Sequence, residues 1–136
     1  MFLEFLLSLT PLDYAYLAKV VEVETVKNTS DEYCVAVSVL NRVRSQSFPH
    51  SVREVIFNKS RGKHHYQGFD YWNPLPDPAI VDRLSSEKGR VNLLKAYSII
   101  GDRTDFKGQS QLRFRVKSED PMCHPKGNFY HYYWQK

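Results

Sequence analysis

"LAKVVEVETVKNTSDEYCVAVSVLNRV", Leu17 to Val43, decides how this chain is read. Apolar residues recur at helical spacing on either side of the polar run "KNTSDE", so the stretch reads as two helices joined by a turn. Glu22 and Glu24 stand two residues apart, a spacing that sends them to nearly opposite faces of the first helix. Leu17, Val20 and Val21 lead by seven, four and three residues to Glu24, which therefore falls on the apolar stripe at the helix end. Glu22 falls above Ala18 and Lys19, where water and an ion pair with Lys19 account for it.

A carboxyl group on an apolar stripe is costly to ionise. Desolvation raises its proton affinity and can leave it poised as a general acid near neutral pH. The bland alternatives are a helix that frays before Glu24, or an ion pair from Glu24 to Arg42 or Arg44.

Outward from this pair, Asp13 is the expected cap of a first helix running to about Val26. Thr29 with Glu32, and Ser51 with Glu54, have the S/T-x-x-E form of a capping box and open helices through about Arg44 and over "SVREVIF". From Asn58 to Pro78 the texture changes to Gly, Pro, His and aromatics without a period, which reads as one long loop. Helical pattern resumes over Pro78 to Leu84 and from Glu87 to Ile100, where Gly101 supplies a stop. "QLRFRV", 111–116, alternates as a half-buried strand, and "NFYHYYW", 128–134, is expected to pair with it. The 136 residues hold no repeat, linker or low-complexity tract, so a single domain over 1–136 is expected. Its class is α+β: mostly helical, with a small antiparallel hairpin.

The formal net charge of +4 favours an anionic partner such as nucleic acid, an anionic lipid surface or an acidic wall polymer. Lys and Arg are scattered, without a block or a binding signature, so nucleic acid is not the expected partner. The apolar start "MFLEFLLSLTPLDY" is interrupted by Glu4, lacks a basic leader and is too short to span a bilayer. It reads as a packing segment or as an interface with another chain. Cys34 falls inside the second helix pattern as a small buried residue. A disulfide to Cys123 is left open, and Cys123-His124 alone does not make a metal site. No metal and no cofactor are expected. Aromatics, 14% of the chain, gather in the second half, where they can fill a core or grip flat amphipathic ligands such as sugars.

"LAKVVEVET" followed by "VAVSVLNRVRSQSFPHSVREVIF" resembles the SleB-type cell wall hydrolases, a family of spore-cortex and bacteriophage proteins. The matching parts are Glu24 at a helix end, Val39-Leu40-Asn41-Arg42-Val43, Phe48-Pro49, and Val52 to Ile56, in consistent order over residues 14 to 57. Beyond them, the family's Gln-Phe-Ser loop looks like Gln67, Phe69 and Asp70 with Gly68 inserted. Its terminal Gly-Asn-x-x-Phe-Tyr element looks like a shortened Gly127-Asn128-Phe129-Tyr130. The chain departs from the pattern after Glu24, where "TVKNTSDE" is one residue shorter and lacks the usual Arg and second Glu. "QLRFRV" also lacks the family's strand histidine.

The resemblance implies a lysozyme-like domain that cleaves the N-acetylmuramic acid to N-acetylglucosamine bond of peptidoglycan, with Glu24 as catalytic acid. It also implies lytic transglycosylase chemistry, in which one carboxyl group serves both half-reactions. Simple hydrolysis would want Asp70 as a base. Gln67, Phe69, Asp70, Tyr71, Asn41 and Tyr130 are the candidate substrate-binding residues, although Asn41 and Arg42 also suit purely structural roles at a helix end. The expected partner is bacterial peptidoglycan, with other phage virion proteins reached through the N-terminal segment. The expected location is the virion, or the host cytoplasm before release. The competing reading is an inactive, lysozyme-derived virion subunit that only binds wall glycan.

Overall fold

The computed structural model describes residues 1–25, 27–60, 63–64, 75–108, 123 and 130–134. Among them are six helices: α1 (Phe2–Ser8), α2 (Pro11–Glu24), α3 (Asp31–Arg44), α4 (Val52–Ile56), α5 (Pro78–Ser85) and α6 (Glu87–Ile100). Two antiparallel strand pairs complete them, β1 (Lys59–Ser60) with β2 (Lys63–His64) and β3 (Asp105–Gly108) with β4 (Tyr130–Tyr133). The class is thus α+β, mostly helical.

α3 is the central rod. "CVAVSVLNRV" is apolar nearly all round, and a helix of that kind must be covered on every side. Cys34 to Val43 are all buried, packed by α2, α4, α6 and β3. α2 contributes Tyr14, Leu17, Ala18, Val20 and Val21, the stripe expected from the sequence. α5 and α6 bring Ile80, Leu84, Leu93, Ala96 and Ile100 to the same core. α1 is a packing segment. Phe2 and Leu6 are buried, and Phe2 stacks on Tyr97 of α6 with ring centroids 4.2 Å apart.

Helix ends follow local chemistry, with two shifts from the expected registers. α2 starts at Pro11, because Thr10 and Pro11 supply a cap and a preset first residue. Asp13 is not the cap but the third residue of a capping box. Thr10 Oγ1 accepts from Asp13 N–H at 3.1 Å, and an Asp13 carboxylate oxygen accepts from Thr10 N–H at 2.9 Å. The helix stops at Glu24 rather than Val26, since Thr25 is extended and its hydroxyl donates back to Val21 O. The Thr29–Glu32 box does not form. Ser30 occupies the cap position, one residue later, and Glu32 is drawn to Arg83 instead. Ser51 caps α4 through Glu54 N–H, as expected.

β4 lies within the expected strand 128–134, but the partner described for it is β3, with Asp105 opposite Tyr133 and Gly108 opposite Tyr130. The expected partner, 111–116, lies outside the described residues. The long segment read as loop from Asn58 opens with the short β1–β2 pair. Cys34 is buried as expected and is joined to Cys123 in a disulfide across a sequence separation of 89. Closing a loop of that length removes unfolded-state entropy worth about 4–5 kcal/mol on the chain-entropy estimate.

Candidate active site

Three helix ends lie in this part of the fold: the C-terminus of α2 and the N-termini of α3 and α5. They carry Glu22, Glu24, Asp31, Glu32 and Asp77. So many carboxylates in one region are tolerated only if donors are supplied, and the described hydrogen bonds show where they come from. Glu22 pairs with Lys19 at 3.4 Å, as the sequence suggested. It also accepts from Asp77 N–H at 2.7 Å, so it anchors the entry to α5 and is more than a solvated charge. Asp77 caps α5 by accepting from Ala79 N–H at 2.9 Å, and it takes the Lys27 ammonium at 2.6 Å. The Lys27 hydrogen bond, then the Ala79 amide, hold the Asp77 carboxyl below its ordinary value of 3.8.

Deeper in, Glu32 is 1% exposed and receives Arg83 through two N–H bonds of 2.8 and 2.9 Å. That carboxylate raises the Arg83 guanidinium further above its ordinary value. Glu32 also accepts from the N–H of Asn28, which sits at φ 66, a left-handed conformation Asn tolerates well. Asp31 is buried and accepts from the Tyr132 hydroxyl at 2.6 Å, tying α3 to β4.

Glu24 itself is the last residue of α2 and is half-buried, where Leu17, Val20 and Val21 are fully buried. The next residue, Thr25, lines a cavity of about 440 Å³ together with Glu22, Lys27, Leu75, Asp77 and Ile80. Neither guanidinium proposed as a partner for Glu24 is held at this end of α3. Arg42 donates from Nε to Thr104 O at 2.8 Å and pairs with Asp105 at 2.5 Å. Arg44 lies over the Phe2, Phe5 and Tyr97 rings.

Asn41 does not reach Glu24. It lies ten residues along α3 from Asp31, about 15 Å at the helical rise. Its Nδ2 donates to Gly101 O and Arg103 O, both at 2.7 Å. Its first duty is to hold the turn after α6. Tyr130 begins β4, opposite Gly108. Gln67, Phe69, Asp70 and Tyr71 lie outside the described residues. The Asp31–Tyr132, Glu32–Arg83 and Glu22–Asp77 links were missed from the sequence. Only Asp77-Pro78, a cap followed by proline, carried a local signal.

Among the described residues, no group of three or more His, Cys, Asp or Glu is placed to hold a metal ion. No described helix is long and apolar enough to cross a membrane. Comparison of the chain with protein-family models, curated proteins and solved structures finds no match.

Proposed function

We propose that the chain is a peptidoglycan-cleaving glycosidase of muramidase or lytic transglycosylase type, built on a lysozyme-like domain, with Glu24 as its general acid and base. The observation that supports this reading most is the position of Glu24: half-buried and closing α2 at the end of the apolar stripe of Leu17, Val20 and Val21. The residue order shared with the SleB-type hydrolases adds the substrate class.

Glu24 donates its proton to the glycosidic oxygen as the bond from that oxygen to C1 breaks. The resulting carboxylate then takes the proton of the muramic acid C6 hydroxyl while that oxygen bonds to C1. A 1,6-anhydro end forms, Glu24 is reprotonated, and no second carboxylate is consumed. In this reading Gln67, Phe69, Asp70, Tyr71 and Tyr130 are the residues that recognise the sugar. The protein is phage-encoded, carried in a virion or held in the host cytoplasm until release. The exposed Leu3, Leu7 and Leu12 offer other virion proteins an apolar contact.

A second reading, a wall-binding virion subunit without activity, is favoured by the shortened turn after Glu24. Glu24→Gln separates the two. Clearing of purified sacculi is expected to fall by about two orders of magnitude or more, with wall binding kept and anhydro ends among the wild-type muropeptides by mass spectrometry. Clearing at the wild-type rate would end the assignment of Glu24. Reducing ends would replace the transglycosylase step with hydrolysis.

A further inference from the structure

A cavity of about 580 Å³ lies at the opposite end of α3 from Glu24 and has no part in the reaction above. Its lining includes Asn41, Arg44, Ser47, Phe48, Asp102 and Trp134. Trp134 is 57% exposed although the Arg103 guanidinium sits 4.2 Å from its ring centroid. One face of the indole is thus braced by a cation while much of the ring stays open. A large aromatic ring with one face covered by a cation and much of its surface in solvent can serve as a stacking platform.

The polar groups around it are also preset. Asp102 accepts from the Tyr97 hydroxyl at 2.9 Å, which orients its carboxylate. Arg44 is spread over three aromatic rings. Phe48 is buried under the Arg42 guanidinium, 4.9 Å from its centroid, and forms an apolar floor. Asn41, 4% exposed, has an Oδ1 with no hydrogen-bond partner among the described residues. Among the described lining residues Arg44 and Asp102 are of opposite sign, and the Arg103 guanidinium is engaged by the Trp134 ring. A flat platform, hydroxyl and amide groups, and a balanced charge pair suit a molecule with one apolar face and many hydroxyls.

The geometry points to a second saccharide-binding site here, taking a neutral amino-sugar unit of a glycan strand on Trp134. This rests on the reading of the chain as a wall-active protein and adds to it a hold on the strand remote from the cleavage point. Two sites on one strand raise affinity through effective concentration, without needing either to bind tightly alone.

The test uses the full chain carrying Glu24→Gln, so that the wall is not digested, in co-sedimentation with purified sacculi and with chitin beads. Trp134→Ala is expected to weaken retention on both by roughly three- to tenfold, the worth of one aromatic stack. Ser47→Trp, which fills the groove from an exposed position, is expected to do the same, and both variants should melt with the parent. Unchanged retention in both variants overturns the site, as does a parent that binds neither material. Loss on sacculi with no binding to chitin overturns the saccharide assignment in favour of wall peptide. The catalytic reading fails separately, through clearing by Glu24→Gln, and leaves the retention result legible.

Discussion

Arg83→Met leaves the Glu32 carboxylate in the core without its cation. In the native protein Glu32 is 1% exposed and takes two Arg83 N–H bonds plus the Asn28 amide at 3.1 Å. Breaking a buried ion pair from one side costs about 3–5 kcal/mol, because the surviving charge is uncompensated. Two features reduce that here. The Arg83 side chain is 27% exposed, so water already reaches part of the site, and the Asn28 amide remains as a donor. A loss of about 2–3 kcal/mol is therefore expected, or a fall in melting temperature of roughly 10 °C for a chain of this size. Urea unfolding read by circular dichroism measures it directly. The double variant Glu32→Leu, Arg83→Met removes both charges and should return to within about 1 kcal/mol of wild type, since an apolar pair can replace a buried salt bridge. A single-variant loss under about 1 kcal/mol, or a double variant worse than the single, would refute the claim that the uncompensated carboxylate sets the cost.

Two further perturbations follow from the same corner of the fold. Gly89→Ala in α6 should gain about 1 kcal/mol on helix propensity alone, yet a Cβ there would stand 2.0 Å from Arg83 O and 2.7 Å from Leu84 O. A net loss of at least about 2 kcal/mol is expected in thermal melts, and a stabilised variant would contradict the close approach of α5 to α6. Asp77 has its carboxyl held below 3.8 by Lys27 and the Ala79 amide, so its ionised form stabilises the fold above that value, and this support is lost as pH falls through the lowered folded value. Asp77→Asn should lower the urea midpoint near pH 6, with the difference shrinking in acid; a difference independent of pH would count against the pairing.

Most helices were legible because their signals are local. The apolar stripe of α2, the Ser51 cap, Asp77-Pro78 and the Gly101 stop each act within one turn, and Gly101 does adopt φ 58. The misread ends had competing local signals. Asp13 and Thr10 are both good capping residues, and the proline between them decided for Thr10. Thr29 and Ser30 are both good caps, and the pull of Arg83 on Glu32, from 51 residues away, belongs to neither. The pairing of β4 with β3 was missed because period-2 alternation marks a strand without saying which edge it meets. β3, "DFKG", is too short to show a period.

The candidate site was legible as a residue and illegible as an environment. Spacing alone put Glu24 at the end of an apolar stripe, and the stripe ends there. What spacing could not supply was the set of distant donors that lets several carboxylates share three helix ends: Asp77 N–H for Glu22 across 55 residues, Arg83 for Glu32 across 51, Tyr132 for Asp31 across 101. Those links also bear on the turn after Glu24. Asn28 in that turn sits at φ 66 while giving its amide to Glu32. Arg83 then pins Glu32 from α5, and Tyr132 pins Asp31 from β4. The start of α3 is thus fixed by contacts outside the turn itself. Those contacts keep Glu24 at the end of α2, the placement on which the proposed acid role rests.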